Sequence, residues 1–302
     1  MKNRSYLFGV FITLLGGILW GFSGACGQYL FEQKGISSDW LVPYRLLISG
    51  IILLSVYIIK NPKIIFLPFK NLKNIPQILV YAIIGLMLTQ YSYFYSIELS
   101  NAAVATVIQY TAPVFILAIV CIIEKRLPHS KELVALSLAI FGVFLLATHG
   151  SFEKLVISQK ALLFCFISAL CVVVYNLAPK TLNKNFPISL ILGWGLIIGG
   201  VVLSLYMCVW ELDGVRDLGG YLAVSGVILF GTVMAFSFYM TGVGIIGASK
   251  ASLIACIEPV AAAFFSFVWL GTSFVFLDYV GFAFIMLCVI LLSKKDQYGS
   301  SC

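Results

Sequence analysis

Near the middle of the apolar stretch "SLIACIEPVAAAFFSFVWL", Ser252 to Leu270, a carboxylate and a helix breaker stand side by side at Glu258 and Pro259. If this run begins near Ala248, a rise of ~1.5 Å per residue puts Glu258 about 15 Å into a ~30 Å hydrocarbon layer. A charged carboxylate there costs at least ~2.5–3.5 kcal/mol on insertion scales, so it must face a cavity, meet a partner or hold a proton. Glu258 is therefore a candidate for proton coupling, and its other reading is a permanently protonated group bonded to a nearby carbonyl. Pro259 cannot donate to the carbonyl of Ala255, and Pro113 likewise frees that of Gln109, so both helices are expected to bend at these prolines.

Arg45 starts about five residues into another apolar run, roughly 7–8 Å below one membrane edge. Its side chain can approach Glu258, hold a substrate carboxylate bidentately, or snorkel to the headgroups. Thr106, Tyr110 and Pro113 fall at i, i+4 and i+7 and share a helix face, as Ser252, Cys256 and Pro259 do further on. Gln90, Tyr91, Tyr95, Gln109 and Tyr110 suit a zwitterion or an amide, and serve equally as bonds between helices. Trp20, Tyr175, Asn176, Trp194 and Tyr239 are further cavity candidates. Trp40 and Trp210 have the placing of interfacial anchors.

The elements that carry these residues are membrane helices. The chain of 302 residues is 61% hydrophobic and 10% charged, against about 25% charged in a soluble domain. Its mean hydropathy is +1.06. Apolar runs fall near 6 to 30, 40 to 59, 76 to 97, 102 to 123, 132 to 148, 161 to 179, 188 to 210, 220 to 242, 248 to 270 and 275 to 293. Ten crossings of ~20 residues use roughly 200 and leave no room for a soluble domain. The first run imitates a signal peptide but continues past the small residues at 23 to 25, so it is expected to stay as a helix. With the N-terminus in the cytoplasm, 14 of the 19 Lys and Arg lie on that side, and only Lys34, Arg45, Lys154, Lys160 and Arg216 lie on or near the other. The net charge of +7 thus encodes orientation, with both termini cytoplasmic, and does not call for nucleic acid. Seven of the eight cysteines sit in apolar runs, with Cys302 in a tail, and read as packing residues.

The chain also repeats itself. "AAVATVIQYTAPV", Ala102 to Val114, pairs with "ASKASLIACIEPV", Ala248 to Val260, at an offset of 146 residues, the separation of Pro113 and Pro259. The same offset matches Val134 with Val280 and Val143 with Val289. With small gaps, "GGILWGFSGACGQYLF" meets "FISALCVVVYNLAPKT" and "WLVPYRLLISGIILL" meets "ISLILGWGLIIGGVV". The division is 1–150 and 151–302, two copies of five helices. An odd number of crossings per copy inverts the second copy in the membrane, an architecture of transporters with the ligand near the midplane.

These segments, with "IELSNAAVATVIQYTAPVFILAIVCIIEKRLP" and "GVGIIGASKASLIACIEPVAAAFFSFVWLG", resemble the EamA family of the drug/metabolite transporter superfamily, and within it the YicL-like inner-membrane subgroup. The resemblance covers nearly the whole chain. It implies an all-α integral membrane protein of ten transmembrane helices in two inverted five-helix repeats, in the cytoplasmic (inner) membrane of a bacterium. It further implies export or exchange of small metabolites, amino acids among them, or of toxic compounds. The first copy keeps the family's Glu at Glu124, but the equivalent place in the second copy is Leu270, and Trp194 stands where the first copy has Arg45.

Several chemistries are excluded. "GVGIIG", Gly242 to Gly247, joins two membrane helices and not a strand to a helix, so it is no dinucleotide site. "GILWG" and "GLIIG" are close-packing GxxxG spacings. His129 and His149 lie at opposite ends of one run, too far apart for one metal, and no nucleophile accompanies them, so neither a metal, a cofactor nor an enzyme is expected. The reading is a secondary active transporter that exports a small polar metabolite, such as an amino acid, by alternating access with proton coupling at Glu258. An uncoupled facilitator or importer, and a non-transporting membrane scaffold or sensor, are the alternatives.

Overall fold

A computed structural model describes residues 2–123, 125–151, 155–246, 251 and 254–293. Glu124, Lys154, Ala248, Ser252 and Cys302, singled out above, lie outside the described residues. Regular structure among the described residues is helical throughout. The apolar helices are α1 (Lys2–Lys34), α2 (Ser38–Lys60), α3 (Leu72–Leu99), α4 (Ala102–Gln109), α5 (Ala112–Ile123), α6 (Ser130–Thr148), α7 (Gln159–Leu177), α8 (Ile188–Met207), α9 (Leu218–Ile246), α10 (Glu258–Leu270) and α11 (Phe276–Ser293). Counting α4 and α5 as one run, eight spans of the described residues are long and apolar enough to cross a bilayer, and α10 and α11 are shorter apolar helices.

Local chemistry sets the helix starts. The Asn101 side chain accepts from Val104 N–H at 2.9 Å to cap α4, and Ser158 accepts from Ala161 N–H at 3.0 Å to cap α7. Glu132 reaches back to His129 N–H at 2.6 Å, and Asp278 to Val275 N–H at 2.9 Å, so α6 and α11 begin on the same device. α3 and α9 each contain a π-helical stretch, Tyr81–Leu88 and Gly226–Met234. Such stretches widen a helix by one residue per turn and concentrate at functional places.

The helices pack in antiparallel pairs: α2 on α8, α6 on α11, α1 on α9, and α3 on α7. α1 also lies along α10, and α4 crosses α10. Small residues allow the closest approaches. In "GILWG", a Cβ at Gly17 would stand 3.2 Å from the Ala255 carbonyl, and one at Gly21 would stand 2.8 Å from that of Glu258 and 2.6 Å from Ala262 N. In "GLIIG", a Cβ at Gly199 would meet the Ala82 carbonyl of the α3 π stretch at 2.9 Å. The two glycine pairs therefore seat α1 on the start of α10 and α8 on the unusual part of α3. At one end of the bundle Lys34 bonds Asp217 at 2.6 Å, and the ammonium holds the Asp217 carboxyl below its ordinary range. Large apolar residues such as Ile51, Leu163, Leu205, Phe264 and Phe267 are exposed, the outward face that lipid covers.

Gly21→Ala forces a methyl into backbone atoms that cannot swing aside, and overpacking of this kind costs about 1–3 kcal/mol. Thermal unfolding of the detergent-solubilised protein should show a drop in midpoint for Gly21→Ala. Gly244→Ala, where nothing lies within 4 Å of the added Cβ, should leave it unchanged or slightly raised.

Candidate functional site

Two interruptions organise the centre of the molecule. α4 ends at Gln109, Tyr110 and Thr111 form a turn, and α5 resumes at Ala112. In the later run Cys256 and Ile257 form the turn, and α10 starts at Glu258. The cause is local, because Pro113 and Pro259 supply no N–H to the carbonyl four residues back but fit well in the first turn of a new helix. The freed carbonyl of Ala255 is met from the other interruption, by the Tyr110 hydroxyl at 3.1 Å. That hydroxyl also lies 2.9 Å from Glu258 Oε2. Glu258 sits in the first turn of α10, where the positive end of the helix dipole favours a carboxylate.

Arg45 turns inward and is 5% exposed, so its place is not the headgroup region. Its Nε donates to Thr232 Oγ1 at 3.0 Å and its Nη1 to Gln90 Oε1 at 2.8 Å, while the guanidinium stands 4.5 Å over the Phe94 ring. Both of these acceptors are uncharged. Among the described residues no carboxylate lies within ion-pair distance of Arg45. Arg45 and Glu258 thus make no ion pair with each other.

Aromatic rings pack between the helices here. Trp20 of α1 packs 5.3 Å from both Phe236 and Tyr239 of α9, and Tyr175 of α7 packs 6.2 Å from Phe236. Trp20, Gln109, Tyr110, Tyr175, Tyr239 and Glu258 are only half-buried although several helices converge on them.

The family model for the EamA-like transporter family matches residues 7–148 and 159–294. The chain belongs to the EamA-like transporter family. It is 34% identical over 297 residues to the uncharacterised inner membrane transporter YicL of Salmonella typhimurium, covering 96% of each chain. It is 24% identical over 305 residues to the uncharacterised transporter YwfM of Bacillus subtilis, covering 98% of this chain and 96% of that one. A solved structure described only as the crystal structure of a protein shares the fold with a TM-score of 0.59 at 17% identity, covering 97% of this chain and 98% of that one.

In this EamA chain the other predicted residues divide. Gln90 joins the Arg45 cluster and Tyr110 joins Glu258, with Cys256 in the turn immediately before it. Thr106 bonds Tyr93 at 2.7 Å and its own helix at Ala102, and Gln109 donates to Ser168 of α7. Tyr91 donates to Asp39 at 2.8 Å, and Tyr95 packs on Tyr91 and Phe164. Trp194 lies apart, donating to the Ile65 carbonyl at 2.8 Å beside Phe66 and Phe69, where it pins the segment between α2 and α3. Asn176 is exposed and bonds Val172 in its own helix. The sequence reading passed over Thr232, Phe94 and Tyr93. Of these Thr232 had a signal, since its neighbour Gly231 lies at the 146-residue offset from Gly85.

Tyr110→Phe keeps the ring and strips the donor from the carbonyl of buried Ala255 and the carboxyl of half-buried Glu258, a loss of about 1–3 kcal/mol. Its thermal midpoint should fall clearly, whereas Tyr95→Phe, which retains the ring contacts, should match the parent.

Proposed function

We propose that this chain is a secondary active transporter of the cytoplasmic membrane that moves a small polar metabolite outwards by alternating access between two inverted five-helix halves, 1–150 and 151–302. Support for the inverted halves comes from a single offset. Adding 146 to the bounds of the π stretch Tyr81–Leu88 gives 227 and 234, inside Gly226–Met234. The same step carries the turn at Tyr110 and Thr111 onto Cys256 and Ile257, and the capping Glu132 onto Asp278. The family model also matches in two segments. The antiparallel pairs follow the same logic, since α2 with α8, and α6 with α11, are each a helix packed on its own repeat counterpart. The lysine distribution favours both termini in the cytoplasm.

The observation that carries the reading is the buried Arg45, with no ion-pair partner among the described residues, together with Glu258 in the first turn after the later interruption. A solute with an anionic group would be held by the free donors of Arg45, which a guanidinium presents in a planar fork. The aromatic wall of Trp20, Tyr175 and Tyr239 would shield it from lipid, and an amino acid or related zwitterion fits these two ends. Glu258 would carry the coupling proton. The Tyr110 hydroxyl has one proton and two acceptors. With Glu258 ionised that proton serves the carboxylate, and with Glu258 protonated the acid donates to the Tyr110 oxygen and the hydroxyl proton returns to the Ala255 carbonyl. Proton occupancy and the bonding of the helix interruption therefore change together, which couples a proton to a broken helix.

The test compares extracellular metabolites of cells expressing wild-type protein or Glu258→Gln at equal membrane abundance, followed by flux of the accumulated solute in proteoliposomes. The expected result is a solute enriched outside by wild type only, with pH-gradient-driven flux lost in Glu258→Gln. Gradient-driven flux at the wild-type rate in the variant would return Glu258 to structure and the carrier to an uncoupled facilitator.

A further inference from the structure

Away from the site, a strong excess of one charge falls on the segment that joins α2 to α3. Lys60, Lys63, Lys70 and Lys73 stand within fourteen residues, and no acidic residue occurs from 40 to 97. All four lysines are exposed, and none takes part in an ion pair among the described residues. Large apolar side chains interleave with them and are exposed as well, Ile59 by 82%, Phe66 by 62% and Leu72 by 76%.

The segment is fastened to the bundle. Pro62–Ile64 and Leu67–Lys70 are short helical turns, Asn74 donates to the Pro68 carbonyl at 3.0 Å, and the Asn71 side chain accepts from Lys73 N–H at 3.1 Å. Ile65 and Pro68 are buried. The Ile65 carbonyl accepts from Trp194 of α8 at 2.8 Å, and the rings of Phe66 and Phe69 lie 5.5 and 4.9 Å from that indole. The lysines are thus displayed on a fixed backbone, so little chain entropy is lost when they meet a partner.

Two features decide what that partner is. The segment runs from the end of one membrane-length helix to the start of the next, which places it at a bilayer surface. There, ammonium groups beside exposed apolar side chains match the phosphates of lipid headgroups with the acyl boundary below them. A soluble anion would meet the charges and leave Ile59, Phe66 and Leu72 in water. Membrane orientation calls for lysines near helix ends but not for large exposed apolar residues between them. In the two-halved reading the matching connection, 208–217 between α8 and α9, carries Glu211, Asp213 and Asp217 against the single cation Arg216, so the repeat does not itself demand a basic strip.

We propose that the 59–73 segment is a binding site for anionic phospholipid, with Lys60, Lys63, Lys70 and Lys73 at the headgroup phosphates and Ile59, Phe66 and Leu72 in the boundary below. Neither the direction of transport nor proton coupling enters this inference. Each lysine adds roughly fivefold to the association, and the attraction fades as salt shortens the screening length.

Native mass spectrometry of the detergent-solubilised full chain, titrated with phosphatidylglycerol or with phosphatidylcholine of the same acyl chains, reads the affinity. Phosphatidylglycerol should bind the more tightly by roughly tenfold or more, and rising ammonium acetate should narrow the gap. Lys70→Gln with Lys73→Gln should weaken phosphatidylglycerol by roughly twentyfold and leave phosphatidylcholine unchanged. Leu72→Gln, which keeps every charge, should weaken both lipids. Lys125→Gln with Lys295→Gln removes the same charge from other parts of the chain and should leave both affinities as they were. Equal affinity for the two lipids, equal loss in that control pair, or no loss in Leu72→Gln overturns the site. Displacement of phosphatidylglycerol by an equal concentration of inorganic phosphate would assign the lysines to a free anion and overturn it too. The substituted side chains are exposed, and an unchanged thermal midpoint verifies that each variant is folded.

Discussion

A helix interrupted inside a bilayer exposes backbone groups that lipid cannot satisfy, and the rest of this structure is arranged around meeting that requirement. The carbonyl of Ala255, released by Pro259, is bonded by a phenol from the other interrupted helix. This fixes where α4 must cross α10. It also explains the glycines of α1, because the chain on the far side has to lie against bare backbone at Ala255, Glu258 and Ala262.

The same requirement places the charges. A carboxylate in the first turn of a half-helix is stabilised by the helix end without a cation in contact, and a guanidinium with neutral acceptors remains able to take an anion. Direct pairing of Arg45 with Glu258 would satisfy both groups and leave little for a solute to do. Thr232 and Gln90 hold the guanidinium in place instead, and Phe94 supplies a face for it to rest on. Thr232 belongs to the π stretch of α9, so the irregular turn there serves the site as well as the packing.

Polar residues in this bundle divide between those that bond neighbours and those that pack through their rings. Thr106, Gln109, Tyr91 and Gln28 are each engaged by another helix or by their own backbone. Trp20, Tyr175 and Tyr239 carry polar tips but pack through their ring faces and stay half-buried. That contrast in bonding separates the fastening residues from those that pack through their rings.

Much of this was legible in the sequence. Composition fixed the membrane class, the motifs fixed the family, and hydropathy gave the runs to within a few residues, since a bilayer demands about the same apolar length of every crossing. The pairing of Glu258 with Pro259, and the 146-residue offset, are also sequence properties. Helical period assigns residues to a face but does not say what that face meets. Hence Trp194 looked like a site residue and pins a connecting segment, Gln28 drew no attention and joins three elements, and Arg45 could not be distinguished from a snorkelling side chain. One acceptor of Arg45 lies 187 residues away in Thr232, and only the packing of α2 against α9 brings them together. What the sequence determined was which groups must be satisfied in lipid; which partner satisfies each was decided by tertiary structure, because hydrogen bonds form only between atoms that packing has made neighbours.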